Sequence, residues 1–272
     1  MIIDTHVHCG VMNGFYMPNE MVEAMIDKYN IDHIILSDCR AVDNTEDLER
    51  IPEELAFSQN LILKETIDFA RKHPGRISVM PWIKPVTDGV DDEFVNLINE
   101  NKDIVKGIKF HAHNSNLRAD SELLEPYYDI AKEMHLPVAV HTGGVEAASA
   151  KYVYNAAKKH PDVNFILVHM GLGTDNMEAI EYVSELPNLY GDTTWVPLAS
   201  TLKLLEKCGA DKIVFGSDSP IDGVDTYANN GHGEPSLYVD YFEKLPKLVS
   251  AEVYDKIMYK NAIKLFNLTE AI

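Results

Sequence analysis

The sequence predicts an α/β protein built as a single (β/α)8 barrel. Short apolar runs recur eight times along the 272 residues, and a stretch with helical periodicity separates each run from the next. The length also fits, because barrels of about 250 residues fold around one core. With no linker or shift in composition along the chain, we expect one barrel domain over residues 1–272.

The eight predicted strands are spread along the whole chain. They cover residues 2–8, 33–38, 77–83, 105–111, 137–142, 164–170, 188–193 and 212–218. Helix signals lie between them: Pro18 stands at a helix start, and the basic runs 71–73 and 158–160 each precede a proline. Residues after about 237 are predicted to be helices that close the barrel. The longest connections, 39–57 and 219–236, follow strands two and eight, on the face that holds barrel active sites.

Composition and charge exclude several classes of function. The chain has 43 Asp and Glu against 24 Lys and Arg, so its net charge of −19 repels phosphate backbones and anionic membranes. No apolar run reaches the ~18 residues of a membrane span, and we expect no signal peptide before the first strand. Three cysteines without CxxC spacing do not form a disulfide framework. We expect a cytoplasmic protein that acts on a small-molecule substrate and has no nucleic acid or membrane partner. The sequence does not define the oligomeric state, and a homo-oligomer is possible.

Four of the 11 histidines are predicted to be structural. His33 opens the second strand, whereas His73, His135 and His160 end helical runs near prolines or strand starts. These positions lie at the end of the barrel opposite the usual active sites. The other seven histidines belong to the catalytic end.

A polar set at the ends of separate strands predicts a metal site. His6 and His8 end the first strand one residue apart, so both rings point to the same side. His141 ends the fifth strand, His169 the sixth, and Asp218 the eighth, which neighbours the first in a closed barrel. Barrel interiors are normally filled by Val, Ile and Leu, so this set predicts a divalent cation. Ligands of this kind suit Zn²⁺ best, while Mn²⁺, Fe²⁺ and Co²⁺ stay open.

These motifs resemble the amidohydrolase superfamily over essentially the whole chain. The run GSDSP at 216–220 and the closing YKNA at 259–262 are similar to the amidohydrolase-related branch that includes aminocarboxymuconate semialdehyde decarboxylase. The TatD-type nucleases share the opening Asp-x-His-x-His. They usually have Glu-Thr-Asp where this chain has Gly-Ser-Asp at 216–218, and the acidic charge also argues against them.

The resemblance implies one metal held by His6, His8, His141 and Asp218. A bound metal lowers the pKa of water, and Asp218 is the predicted catalytic group that accepts the water proton. His169 is the second predicted catalytic residue. It would donate a hydrogen bond to the oxygen on which charge develops, or bind a second metal.

Lys109, His111 and His113 occupy alternate positions along the fourth strand, so their side chains share one face, which we expect to be the barrel interior. Lys109 has two open roles, as the carboxylated lysine that bridges two metals in binuclear amidohydrolases or as the partner of a barrel carboxylate. His111 is predicted to contact substrate or water rather than the first metal. One ion is favoured and two are possible.

Four residues near the barrel mouth are candidates for substrate binding: Arg40, Trp82, Arg118 and Trp195. An arginine suits the bidentate binding of a carboxylate, which an acidic protein needs for an anionic substrate. The alternative for each is a contact that only stabilises its loop. His232, among the glycines of the connection 219–236, is either a mobile site residue or solvated.

Three functions follow from these residues. The favoured one is metal-dependent hydrolysis of a small ester, lactone or amide-like bond by an activated water. The second is a non-oxidative, metal-dependent decarboxylase of a small carboxylic acid, which release of CO₂ would distinguish. The third is a metal-stabilised barrel without catalytic activity.

Overall fold

The computed structural model describes residues 1–12, 15–45, 47–221 and 237–268. The strands are β1 (Ile3–Met12), β2 (Phe15–Met17), β3 (His33–Asp38), β4 (Ile77–Val79), β5 (Ile108–Phe110), β6 (Val138–Gly143), β7 (Phe165–Leu172), β8 (Leu189–Asp192) and β9 (Ile213–Val214). The α-helices are α1 (Asn19–Lys28), α2 (Gln59–Ala70), α3 (Asp92–Glu100), α4 (Ala112–Ser115), α5 (Glu125–Glu133), α6 (Ala150–Lys159), α7 (Met177–Glu185), α8 (Leu198–Cys208), α9 (Ala251–Asp255) and α10 (Asn261–Leu265). Short 3₁₀ helices cover Glu53–Leu55, Glu122–Leu124, Glu146–Ala148, Ala210–Lys212 and Leu245–Lys247, and π-helical turns cover Val239–Lys244 and Lys256–Lys260.

The parallel strands form the predicted (β/α)8 barrel. One sheet has the order β2-β1-β3-β4 and the other β5-β6-β7-β8-β9. Isolated parallel bridges join the two sheets on both sides: Val79 to Val105 and Trp82 to Lys109 on one side, and Val7 to Ser219 on the other. The short strand β2 pairs antiparallel with the end of β1 and lies outside the ring, a hairpin that the sequence pattern did not indicate.

Several strands are shorter than predicted. The predicted strands 77–83, 105–111 and 212–218 are regular only over β4, β5 and β9. Pro81 lacks an N–H group and so interrupts the ladder after β4, although its carbonyl still accepts from Lys109 N at 2.8 Å. Asp218 has a left-handed φ of +67°, which a regular strand cannot accommodate. The strand ends are therefore irregular where the polar side chains are.

Apolar side chains fill the lower part of the barrel. Residues of five strands, together with Met80 just after β4, form one buried cluster with the end of the C-terminal helices: Ile3, Ile35, Met80, Ala139, Ile166, Val168, Val214, Ala262, Leu265, Phe266 and Leu268. A larger cluster lies between the strands and the surrounding helices. The C-terminal helices contact the segment after β9 through a hydrogen bond of 3.0 Å from Phe215 N to Ile257 O. Over residues 237–268 the chain is mainly helical, which confirms the predicted C-terminal helices.

The histidine predicted to open the second strand is structural. The Nδ1 atom of His33 lies 3.0 Å from Gly75 O and its Nε2 lies 3.0 Å from Ser78 Oγ. The three thiols, Cys9, Cys39 and Cys208, are free. Over the described ranges, no helix has the length and apolar character needed to cross a membrane.

Candidate metal centre

Three predicted ligands converge at the C-terminal end of the barrel. The Nε2 atoms of His6 and His8 are 2.8 Å apart, and Asp218 Oδ1 lies 3.1 Å from His8 Nε2 and 3.4 Å from His6 Nε2. The residues are only 2%, 4% and 8% exposed. Within the described ranges, no other three His, Cys, Asp or Glu residues bring their ligand atoms within 4.8 Å of one another.

Backbone irregularities at the strand ends aim these side chains. The pairing of β1 with β3 shifts register between Asp4 and Val7, next to His6. On the facing segment, Asp218 N donates to His6 O at 2.9 Å from its left-handed conformation. Gly216 permits this approach, because a Cβ there would lie 2.9 Å from the Cβ of His6. Strained backbone of this kind is concentrated at functional sites.

The hydrogen bonds of His6 and His8 fix which ring nitrogen carries the proton. His6 Nδ1 lies 3.1 Å from a carboxylate oxygen of Asp192, and His8 Nδ1 lies 3.1 Å from Ser37 O. Both partners are acceptors, so each Nδ1 is a donor, and a cation that displaces the contact of His8 Nε2 with Asp218 Oδ1 would meet a lone pair on each Nε2. Burial, with the nearby charge of Lys109, also holds the pKa of His6 well below its usual value. Two lone pairs and a carboxylate oxygen then face one another, an arrangement that a cation stabilises.

His141 is close to this group without belonging to it. Its ring stacks on His111 with centroids 3.9 Å apart and meets the edge of His169 at 4.6 Å. The buried Nε2 of His141 has no hydrogen-bond partner, and burial lowers the pKa of the ring well below its usual value. An unpartnered, buried, neutral imidazole nitrogen fits a fourth metal ligand, because it otherwise costs free energy.

Asp192 is a site residue that the sequence analysis missed. Its carboxylate ends β8, is 1% exposed, and accepts from His6 Nδ1, from His169 N at 2.9 Å and from Thr194 Oγ1 at 2.7 Å. It therefore orients two of the predicted functional histidines. The available signal was the same one that identified Asp218, namely a carboxylate at the end of a predicted strand.

The hydrogen bonds of His169 bear on its two predicted roles, donation to an oxygen and binding of a second metal. Its left-handed φ of +67° breaks the strand alternation, and Nδ1 lies 3.2 Å from Thr194 O. Because a carbonyl can only accept, Nδ1 carries the proton and Nε2 presents a lone pair. Burial lowers the pKa of this histidine, which favours the neutral ring. His169 is thus placed to accept a proton or bind a metal, rather than to donate to an oxyanion.

Lys109 faces the barrel interior, as its strand parity predicts. It is fully buried, and its Nζ lies 3.0 Å from His6 Nε2. Burial lowers the pKa of Lys109 to about 8. The ammonium group therefore competes for the lone pair of one of the three converging ligands.

A cavity of about 850 Å³ opens onto this group, within the size range of small-molecule sites. Trp82, Trp195, Lys109 and His111 line it, as expected for residues at the barrel mouth. Apolar side chains of the connection 39–57 complete the walls, including Val42, Ile51, Leu55 and Phe57. His113 also lines the cavity, whereas His232 lies outside the described residues.

The two arginines predicted to bind substrate do not line this cavity. Arg40 makes a bidentate contact with Asp38, at 2.6 to 3.1 Å, and pairs with Glu65 at 2.8 Å. Arg118 pairs with Asp120 at 2.8 Å and lies over the ring of Tyr152, with its side chain 52% exposed. Neighbouring carboxylates neutralise both guanidinium groups. These contacts match the alternative prediction, in which each arginine stabilises its own loop.

A parallel barrel with imidazole and carboxylate groups at the C-terminal ends of its strands defines a metal-dependent enzyme of the amidohydrolase type. The profile of the amidohydrolase family matches residues 3–268, and the chain belongs to this family. The comparison with curated protein sequences gives no match.

Solved structures share the fold over almost the entire chain. The 5-carboxyvanillate decarboxylase of Novosphingobium aromaticivorans, with bound manganese and 3-methoxy-4-hydroxy-5-nitrobenzoic acid, is 15% identical with a TM-score of 0.73, covering 98% of this chain and 97% of that one. A 2,6-dihydroxybenzoate decarboxylase with its bound acid is 17% identical, with a TM-score of 0.71 and coverages of 98% and 99%. A dihydroxybenzoic acid decarboxylase of Polaromonas sp. JS666, with manganese and 2-nitroresorcinol, is 16% identical, with a TM-score of 0.67 and coverages of 98% and 97%.

Proposed function

We propose that the protein is a divalent-metal-dependent decarboxylase that releases CO₂ from a small carboxylic acid without oxidation. The observation that carries the proposal is the buried group of His6, His8 and Asp218, whose ligand atoms lie 2.8 to 3.4 Å apart at the floor of the cavity. The decarboxylases with the same fold support this reaction over hydrolysis, which the sequence alone favoured.

His6, His8 and Asp218 would hold the cation, with His141 as the fourth ligand. Imidazole and carboxylate ligands suit Zn²⁺, which is our proposal for the native ion, and the Mn²⁺ of two similar structures is the main alternative. When bound, the cation supplies positive charge that stabilises negative charge on substrate oxygens. We propose one ion per chain.

The cavity also has features that suit a carboxylic acid on a flat, partly apolar framework. Among the described residues that line it, Lys109 is the only lysine or arginine. Trp82, Trp195, Phe15 and Phe57 add aromatic surface. Decarboxylation breaks a C–C bond and leaves an electron pair on the substrate until a proton arrives. A substrate that delocalises this pair itself, such as a hydroxybenzoic acid, therefore suits the reaction.

Hydrolysis is a second candidate because of one observation. The Nε2 lone pair of His169 and the carboxylate of Asp218 both face the site, and either can accept a proton from a water molecule. An ester, lactone or amide-like bond would then be the target.

The experiment that decides is a product assay on protein reconstituted with Zn²⁺ or Mn²⁺. Samples are incubated with 2,6-dihydroxybenzoate, 5-carboxyvanillate and related hydroxybenzoic acids, and in parallel with simple esters and lactones, while CO₂ and cleavage products are measured. We expect metal-dependent CO₂ release that is lost in His8→Ala. His135→Asn is the matched control, because this exposed histidine lies at the other end of the barrel and has a left-handed φ that Asn tolerates. Cleavage of an ester or lactone with no CO₂ from any acid would assign hydrolysis instead.

A further inference from the structure

The cavity needs hydrogen-bond donors if it binds an anion. Arg40 and Arg118 are paired with carboxylates outside it, and the indole N–H of Trp195 donates to Asp218 at 2.7 Å. His6, His8 and His169 each keep the ring proton on Nδ1 and present a lone pair at Nε2. Lys109, the cation of the described lining, has its Nζ 3.0 Å from His6 Nε2. These groups therefore leave the recognition of an anionic oxygen to another side chain.

His111 differs from His6, His8 and His169 in the partner of its Nδ1 atom. It immediately precedes α4, and its Nδ1 accepts the backbone N–H of Asn114 at 3.2 Å. A ring nitrogen that accepts a hydrogen bond carries no proton, so the ring is neutral and its proton is on Nε2. Among the described residues none accepts from this Nε2, although His111 lines the cavity.

The orientation of the His111 ring is fixed from both sides. Trp82 stacks on it with centroids 4.8 Å apart and planes at 7°, and His141 stacks at 3.9 Å and 19°. Turning the ring over would replace the accepting nitrogen by a C–H group and leave the N–H of Asn114 without its partner. The two stacking contacts and the hydrogen bond thus specify one tautomer in one orientation.

We propose that His111 is the hydrogen-bond donor that binds the substrate carboxylate through Nε2–H. This inference rests on the proposed function and names the group that recognises the acid. His6, His8 and His169 then present Nε2 lone pairs to the cation, whereas His111 presents an Nε2–H group to the anion. This difference is set by the partners of the Nδ1 atoms, which are acceptors for His6, His8 and His169 and a backbone donor for His111.

The first test reads the tautomer directly and does not depend on turnover. Protein labelled with ¹⁵N in histidine and loaded with diamagnetic Zn²⁺ is examined by long-range ¹H–¹⁵N correlation, and His111→Phe assigns the signal by its disappearance. We expect the proton of His111 on Nε2. A proton on Nδ1, or Nε2 bound to zinc, would overturn the proposal even if the protein is a decarboxylase.

The second test separates anion recognition from metal binding. In zinc-loaded protein, His111→Phe keeps a stacking ring without a donor, whereas His111→Gln keeps an N–H near the position of Nε2. We expect unchanged zinc content in both variants. Binding of 2,6-dihydroxybenzoate should weaken by about 10-fold to 100-fold in His111→Phe, the effect of losing a hydrogen bond to a charged group, and recover largely in His111→Gln.

The comparison with resorcinol, which lacks the carboxylate, completes this test. Its binding should change much less than that of the acid in His111→Phe. An equal loss for both compounds, or a loss of zinc, would show that His111 has a structural or ligand role and overturn the proposal. If wild-type protein binds no hydroxybenzoate, the proposed function fails on that count, and the tautomer measurement still decides the protonation of His111.

Discussion

The indole N–H of Trp195 donates a hydrogen bond of 2.7 Å to Oδ2 of Asp218, while Oδ1 of the same carboxylate faces His6 and His8. One oxygen is thereby held by the protein, and the other is directed at the candidate metal position. Trp195 adopts a left-handed φ of +54°, so the backbone is strained to place this indole.

Trp195→Phe should weaken metal binding by about 10-fold to 100-fold, the usual effect of removing a partner that orients a ligand. The ring is kept and only the N–H is lost, so the carboxylate is free to rotate. Competition with a chelator measures the affinity. Trp82→Phe is the matched control, because Trp82 also lines the cavity but has no hydrogen bond to Asp218. Equal affinities in the two variants would contradict a positioning role for the indole.

Asp192→Asn should reduce metal affinity through His6. An amide can turn its NH₂ group toward His6 Nδ1, which would move the ring proton to Nε2 and remove the lone pair that faces His8. We expect a loss of about 10-fold or more in affinity with the fold retained, measured by metal content and circular dichroism. Wild-type affinity would mean that the tautomer of His6 is set by other contacts.

Removal of the metal should lower the melting temperature, and His141→Leu should reduce this difference. A ligand that binds the folded state stabilises it in proportion to the logarithm of its concentration over Kd. The substitution removes a buried nitrogen without a partner, so chelator-treated variant should melt no lower than chelator-treated wild type. Calorimetry with and without Zn²⁺ tests both expectations. A full zinc-induced increase in His141→Leu would exclude His141 as a ligand.

Arg118→Lys should leave KM for the best acid unchanged. Arg118 is paired with Asp120 and stacked on Tyr152, away from the cavity lining. Steady-state kinetics of this exposed variant would show an increase in KM only if the guanidinium moves to the substrate.

Periodicity and strand ends predicted the barrel and the residues of its mouth because both follow from local sequence. Alternation within a strand places Lys109 inward beside His6, and β1 and the segment after β9 bring His8 and Asp218 together. What the pattern misses is backbone that leaves the regular conformations. The β1–β2 hairpin and the left-handed φ of His169 are examples, since neither has a periodic signal.

The sequence also could not assign hydrogen-bond partners, and these decide the chemistry. Arg40, which its position predicts to bind substrate, donates from its guanidinium to Asp38, two residues away. Asp192 orients His6 from a position 186 residues along the chain. Contacts between residues so far apart in the sequence form only when the barrel closes. The hydrogen-bond partner of each Nδ1 atom, which decides which ring nitrogen is protonated, therefore has no local sequence signal.

Lys109 is either an ammonium group beside His6 or a carboxylated bridge between two ions, and the two states predict opposite results for Lys109→Met. As an ammonium group 3.0 Å from His6 Nε2, it competes with a cation for the same lone pair. At about 4 Å and an effective dielectric constant of 20, two unit charges repel by about 4 kcal/mol, so removing the charge should tighten metal binding by at least 10-fold. We therefore expect one ion per chain in wild type and variant alike, and tighter binding in the variant, as measured by elemental analysis and chelator competition. If wild type instead holds two ions when supplied with bicarbonate and Lys109→Met holds one, the lysine is a carboxylated bridge. That result would also make His169, with its free Nε2 lone pair, the natural ligand of the second ion.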